Sequence, residues 1–171
     1  MTQEEKDKKI AALEKELTEL KKTPVNERWK PENQDNYYYI DDLDIIRENN
    51  WHSDIGDKWR YLTHNVFQTR EEAEEHQKEI ETYFKFKNFV EERSEPIDWN
   101  NGKEKYFIYY DFHDQYVDFG FNYNSECQGA IYASSEQILR DAIDYIGGEE
   151  VAKRYLFGIK EQQCVNIVNK N

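Results

Sequence analysis

Two stretches of this chain run through the same order of features, and that order restricts the fold to a strand-rich unit used twice. The first stretch passes from Trp29 through a polar turn to Tyr37-Tyr38-Tyr39-Ile40, then an Asp cluster, a second aromatic stretch at Trp59-Arg60-Tyr61-Leu62, and Phe67. The second passes from Trp99 through Asn100-Asn101-Gly102 to Tyr106-Phe107-Ile108-Tyr109-Tyr110, then Asp111, another aromatic stretch, and Tyr132. Each ends in a capping-box signature, Thr69 with Glu72 and Ser134 with Gln137, where a hydroxyl and a carboxylate or amide three residues apart satisfy each other's backbone N–H groups at a helix start. The expected fold is α+β: an N-terminal coiled-coil helix, then a duplicated βββα module with antiparallel sheet. The expected units are residues 1–23 for the helix, 24–93 for the first module and 94–171 for the second.

The second unit carries the cleaner strand pattern. Val117, Phe119, Phe121 and Tyr123 alternate with Asp118, Gly120 and Asn122, the period-two signature of a strand buried on one face. Lys105 to Tyr110 reads as a central strand, and Gly129 to Ala133 as a short third one. Helices are expected from Arg70 to about Glu92, from Ser135 to Ile146 with a stop at Gly147-Gly148, and from Glu149 to Phe157. The tail after Gln162 is expected to be loosely held.

Ahead of the modules, residues 2–22 are rich in Glu, Lys, Ala and Leu and contain no Gly or Pro, which favours a helix. Ile10, Leu13, Leu17 and Leu20 recur at spacings of three, four and three, the a and d positions of two heptads. In a parallel dimer Lys9 then pairs with Glu14 of the partner, and Glu16 with the partner's Lys21, so both flanking pairs are of opposite charge. These eight residues form the expected dimerisation site. Two heptads are marginal by themselves, and the globular part is expected to contribute. Thr23 and Pro24 end the helix, and residues 25–36 read as an extended connector pinned to the core by Trp29.

A charged fraction of 35% would disfavour folding if the apolar residues were small, but 13 Tyr, 9 Phe and 4 Trp supply a core built on rings. The net charge of −13 is unevenly placed. Residues 1–23 hold six acids and six Lys, residues 24–93 hold 17 acids and ten bases, and residues 94–171 hold 13 and seven. An acidic globular surface repels nucleic acid and attracts basic partners. The two cysteines, Cys127 and Cys164, form neither a disulfide framework nor a C-x-x-C pair and read as reduced thiols. With no apolar run of membrane-spanning length and no leader-like N-terminus, a cytoplasmic location is expected.

The search for chemistry returns little. Walker, G-x-G-x-x-G, G-x-S-x-G and H-E-x-x-H patterns are absent. The Asp41-Asp42-Leu43-Asp44 run lacks the Gly and the closing Glu of a calcium loop, and Asp111, His113 and Asp114 fit a solvated turn better than a metal centre. No catalytic residue, cofactor or metal is therefore expected, and the protein is read as non-enzymatic. What remains is acids set among rings: Asp41, Asp42, Asp44 and Glu48 near Trp51, then Asp54 and Asp57 near Trp59. Rings can anchor and charges can steer a protein partner, and Asp41, Asp42, Asp44, Glu48, Trp51, Asp54 and Asp57 are the expected partner-binding set. Whether Trp51 and Trp59 are core or surface stays open at this point.

Residues 28–160 resemble small uncharacterised proteins of Gram-positive phages and prophages. The resemblance rests on Trp29-Lys30-Pro31 leading to Tyr37-Tyr38-Tyr39-Ile40, and on Arg60-Tyr61 followed by the Asn65 to Glu74 stretch. It continues in Tyr106 to Asp111 and in Arg154-Tyr155-Leu156-Phe157-Gly158. His64 stands where that group's pattern would place Gly before Asn65. The resemblance supplies no active site. It implies a phage setting, in which small acidic proteins often inhibit host defence, anti-CRISPR proteins among them. The expected function is a phage-encoded, non-enzymatic inhibitor that binds a nucleic-acid-handling defence protein, such as a CRISPR effector, through an acidic, aromatic surface; whether the acids act as a DNA mimic stays open at this point. The expected partners are that host protein and a second copy of the chain, without direct nucleic-acid or membrane binding. Two alternatives are a dimeric protein that sequesters a nucleotide ligand and a phage structural or scaffold component.

Overall fold

The computed structural model describes residues 28–159. The seam at Ile10, Leu13, Leu17 and Leu20 with its flanking charges, Cys164 and the tail after Gln162 lie outside the described residues. Within them the chain is α+β, with four helices and two antiparallel two-stranded sheets. In order these are β1 (Asn36–Ile40), β2 (Ile46–Asn50), α1 (Ile55–Leu62), α2 (Arg70–Arg93), β3 (Lys105–Asp111), β4 (Tyr116–Asn122), α3 (Glu136–Ile146) and α4 (Glu149–Leu156).

Both hairpins follow one plan. β1 pairs with β2 with Tyr38 opposite Glu48, and β3 pairs with β4 with Ile108 opposite Phe119. The first strand of each is also bridged, antiparallel, by a single residue that comes shortly before a helix: Phe67 to Tyr38, and Ala133 to Tyr106. The expected third strand of each unit is thus reduced to one bridged residue. The first half departs further, because Trp59-Arg60-Tyr61-Leu62, expected as an aromatic strand, lies in α1. Asp54 explains the helix: its carboxylate accepts from the Asp57 N–H at 2.8 Å as an N-cap, which starts a turn that β propensity alone would not. α1 ends at Thr63, and His64 follows with φ +63°, the left-handed backbone that Gly would adopt most easily.

α2 begins with the expected box: Thr69 Oγ1 accepts from Glu72 N at 3.1 Å, and Glu72 Oε2 accepts from Gln68 N at 2.8 Å and Thr69 N at 3.4 Å. The second box is not formed. Ser135, not Ser134, is the N-cap of α3 and makes no side-chain capping bond. Ser134 Oγ instead accepts from Glu95 N at 3.1 Å, and Gln137 donates to Asp141 at 2.8 Å. Ser134 is occupied in tying the connector after α2 to the bridge at Ala133. α3 stops at Gly147, whose φ of +115° is a conformation side chains resist.

There are two cores. The larger gathers Phe86 and Val90 from α2, Val117 from β4, the bridged Ala133, then Leu139, Ala142 and Ile143 from α3 and Ala152 from α4. The smaller consists of Tyr37, Trp51 and Val66, with Trp29, Tyr39 and Tyr61 packed around them. α2 touches both halves. Near its start Gln77 donates to Asp44 O at 2.6 Å and His76 packs on Phe67, while Phe86 and Val90 lie in the larger core. Trp29 pins the connector to the first core, as its place in a polar stretch suggested.

Candidate interaction surface

The first half is organised around a phenol. Tyr37 is fully buried, and its hydroxyl donates to Asp57 Oδ1 at 2.7 Å while accepting from Arg60 Nη1 at 2.9 Å and Asn49 Nδ2 at 3.2 Å. Asp57 is fully buried too, and its second oxygen accepts from His52 N at 2.7 Å. Burial pushes the Asp57 carboxyl up, but the hydrogen bonds from Tyr37 and the His52 and Asp54 backbone, together with the Arg60 charge 3.7 Å away, outweigh it and hold the group below its ordinary value. Burial, then the bond to Asp57, raises the Tyr37 phenol. A buried acid with this many donors is a structural clasp.

That clasp turns α1 inside out. At 3.6 residues per turn Asp57, Arg60 and Tyr61 share one face, which points inward: Asp57 to Tyr37, Arg60 over the Tyr39 ring at 3.9 Å, Tyr61 edge-on to Trp51 at 6.2 Å. Ile55, Trp59 and Leu62, at spacings of four and three, fall on the opposite face and are 77%, 62% and 67% exposed. The helix therefore shows water its apolar side and buries its charged one, the reverse of an ordinary surface helix. The chain enters the described region at its far end: Arg28 lies over the Tyr61 ring at 4.2 Å and donates to Tyr61 O.

The second exposed feature is the β1–β2 tip. Asp41 accepts from Leu43 N at 3.0 Å, Ile45 N at 2.9 Å and Arg47 Nε at 2.9 Å, and Asp44 holds a positive φ of 61°. Those bonds, the one from Arg47 foremost, keep the Asp41 carboxyl below its ordinary range. A turn clamped at three points presents Leu43, 76% exposed, between the exposed Asp42 and Asp44.

The expected partner-binding set consequently divides. Asp42, Asp44, Glu48 and Asp54 are exposed, with Asp54 also serving as the α1 cap. Asp41 is committed to its turn. Trp51 and Asp57 are buried in the first core and cannot meet a partner as a surface, a correction that follows from the aromatic and polar contacts they make there. Trp59 is on the surface. Sequence reasoning passed over Ile55, Leu62 and Leu43; the four-three spacing of Ile55, Trp59 and Leu62 was the available signal, hidden because that segment reads as a strand.

In the second half Lys105 is buried at the start of β3, where its ammonium donates to Asn101 Oδ1 at 2.8 Å, Lys103 O at 2.6 Å and Tyr123 O at 3.0 Å beside the Trp99 ring. On the outer face of the sheet Tyr109 donates to Asp118 at 2.7 Å, and this bond raises its phenol to about 12. An open cleft of about 520 Å³ lies over Lys105 and is lined by Arg93 and Lys103 but also by Glu95, Asp98 and Glu104, so its charges of both signs favour no one ligand. Asp111 accepts from the N–H groups of His113 and Asp114 and so closes its own turn. Among the described residues no group of three or more His, Cys, Asp or Glu is placed to hold a metal, and no helix is long and apolar enough to cross a membrane.

Comparison of the chain with protein-family models, with curated proteins and with solved structures yields no match.

Proposed function

We propose that the chain is a non-catalytic inhibitor of phage type that binds a basic surface on a host nucleic-acid-handling defence protein, such as a CRISPR effector, and acts in the host cytoplasm. The observation that carries this reading is the clamped β1–β2 tip, which holds an apolar anchor between two acids with Glu48 on the adjoining strand. The anchor supplies residence time once it is buried, and the acids supply the rate of encounter, taking the place of nucleic-acid phosphates on the partner. Residues 1–23 dimerise the chain as a parallel coiled coil, which raises avidity for a partner that offers two sites. We read the two halves as a duplicated unit, supported by the matched bridges at Phe67 and Ala133, with the α1 insertion as the divergence of the first copy.

The test is cleavage of target DNA by purified CRISPR effector nucleases from Gram-positive hosts, titrated with the protein. Inhibition should weaken with added salt, and Asp42→Asn with Asp44→Asn should slow association. Leu43→Ser should instead speed dissociation. A protein that inhibits none of these nucleases but retains a nucleotide through gel filtration sinks this reading in favour of sequestration.

A further inference from the structure

We infer that the apolar face of α1, formed by Ile55, Trp59 and Leu62, is the second half of the homodimer interface and packs on the same face of a second copy of this chain. The inference rests on the dimer reading above and extends it from the N-terminal seam to the globular part. Its first support is the inversion of α1. The Tyr37–Asp57–Arg60 clasp fixes the rotation of the helix, so the three apolar side chains cannot turn inward without breaking hydrogen bonds of 2.7 and 2.9 Å.

The second support is where the chain enters. Five residues, 23–27, lie between the end of the helix expected from the sequence and Arg28, and five residues at ~3.3–3.6 Å each reach at most about 18 Å. Arg28 is fastened to the last turn of α1 through the Tyr61 ring and carbonyl. In a parallel dimer the two seam helices end side by side, so each copy of α1 is tethered close to the two-fold axis.

Area gives the third. Ile55, Trp59 and Leu62 at their observed exposures offer on the order of 400 Å² of mostly apolar surface. A stable interface takes ~800 Å² per partner, so the stripe cannot hold a dimer by itself and two heptads are marginal alone. The stripe supplies about half of that area per partner and leaves the rest to the N-terminal seam.

Charge decides against the nearest competitor, in which the seam of the same chain folds back on α1. The short connector sets the C-terminal ends of the two helices together, hence parallel, and aligning Leu13, Leu17 and Leu20 with Ile55, Trp59 and Leu62 places Lys21 against Lys58. Pairing the seam with its own copy sets Lys9 against Glu14 and Glu16 against Lys21, both attractive. The seam is better matched to a second seam, which leaves the α1 stripe to a second α1.

Sedimentation equilibrium of the full chain over a wide concentration range provides the test, with two double variants: Ile55→Asp with Leu62→Asp, and Leu13→Asp with Leu17→Asp. Because Ile55 and Leu62 are exposed within one chain, the first variant should keep the far-ultraviolet spectrum of the native protein while its dimer dissociation constant rises at least ~100-fold. The second should be monomeric. A stripe variant that dimerises as tightly as the native chain, beside a monomeric seam variant, overturns the inference and leaves the dimer reading standing. A native chain that is monomeric at every concentration overturns both. Acrylamide quenching of Trp59, taken as the difference between the native chain and Trp59→Phe, separates the remaining occupant. Protection lost on dilution supports the second copy, and protection that persists in the monomer assigns the stripe to the chain's own N-terminal segment and overturns the inference.

Discussion

The two halves of this protein share a plan of hairpin, bridge and helix but bury different chemistry. The second half closes on aliphatic and aromatic side chains from three helices and a sheet, with Phe86, Val90, Leu139 and Ile143 at its centre. The first closes on Tyr37, Trp51 and Val66, and where more apolar volume would be expected the Tyr37 phenol bonds a carboxylate, Asp57, and a guanidinium, Arg60. An apolar core tolerates rotation of its helices within the limits of packing, whereas a polar clasp tolerates almost none, since a displaced donor leaves a buried acceptor unsatisfied. The difference teaches why α1 can present an apolar face outward: its orientation is set by hydrogen bonds, not by the hydrophobic effect.

The largest effect should come from Phe86→Ala, because Phe86 sits in the larger core on the one helix that both halves use. Chemical denaturation should show a loss of about 3–5 kcal/mol, with the signals of both halves moving together. Separate transitions would break the comparison by making the halves independent units.

Next is Asp57→Asn, which keeps the shape but removes the charge that Tyr37 and His52 N donate to. It should cost about 2–3 kcal/mol and disturb the Trp51 indole N–H, which donates to Ser53 at 2.8 Å, before any second-half resonance. The same group sets an acid limit. Because the folded Asp57 carboxyl lies below its ordinary value of 3.8, its contribution is complete above that value and is lost as pH falls through the lower, folded one. The Trp51 resonance should shift on acidification in that window, and Asp57→Asn should abolish the shift.

Gly120→Ala probes the other half. A Cβ there would stand 2.7 Å from Cζ of Phe107, whose ring lies across the glycine on the outer face of the sheet. Displacing that ring from Tyr132 should cost about 2 kcal/mol and leave the Trp51 signal unchanged in the folded state.

The smallest and sharpest contrast lies in the helix starts. Thr69→Ala removes a working cap and should cost about 1 kcal/mol, whereas Ser135→Ala removes a hydroxyl that makes no capping bond and should stay within ~0.5 kcal/mol. Equal costs in thermal melts would mean that the two starts are alike after all.

Long, strongly periodic elements were legible in the sequence: α2, α3 and α4 fall within a residue or two of their expected bounds, and the Val117 to Tyr123 alternation marks β4. The misreadings share one cause. Trp59 to Leu62 has the composition of a strand, and only the Asp54 cap and the distant clasp at Tyr37 make it helical, a tertiary effect that local propensity does not carry. Ser134 carries the signature of a cap, but it is drawn off by a neighbour 39 positions away in sequence, Glu95. Trp51 and Asp57 looked like the exposed acids and rings beside them because burial of a charged side chain depends on partners brought from elsewhere. The exposed tip around Leu43 and the α1 stripe became visible once those partners were in place.

The shared helix also has a consequence for synthesis. Phe86 and Val90 emerge from the ribosome with the first half, yet their cover comes from Leu139, Ile143 and Ala152. At ~5–20 residues per second the roughly 60 residues between Val90 and Ala152 take about 3–12 s to make. For that interval the nascent chain carries a sticky, half-dressed rod, a natural target for chaperones, and a gene fragment ending after α2 should yield an aggregating product instead of a folded half.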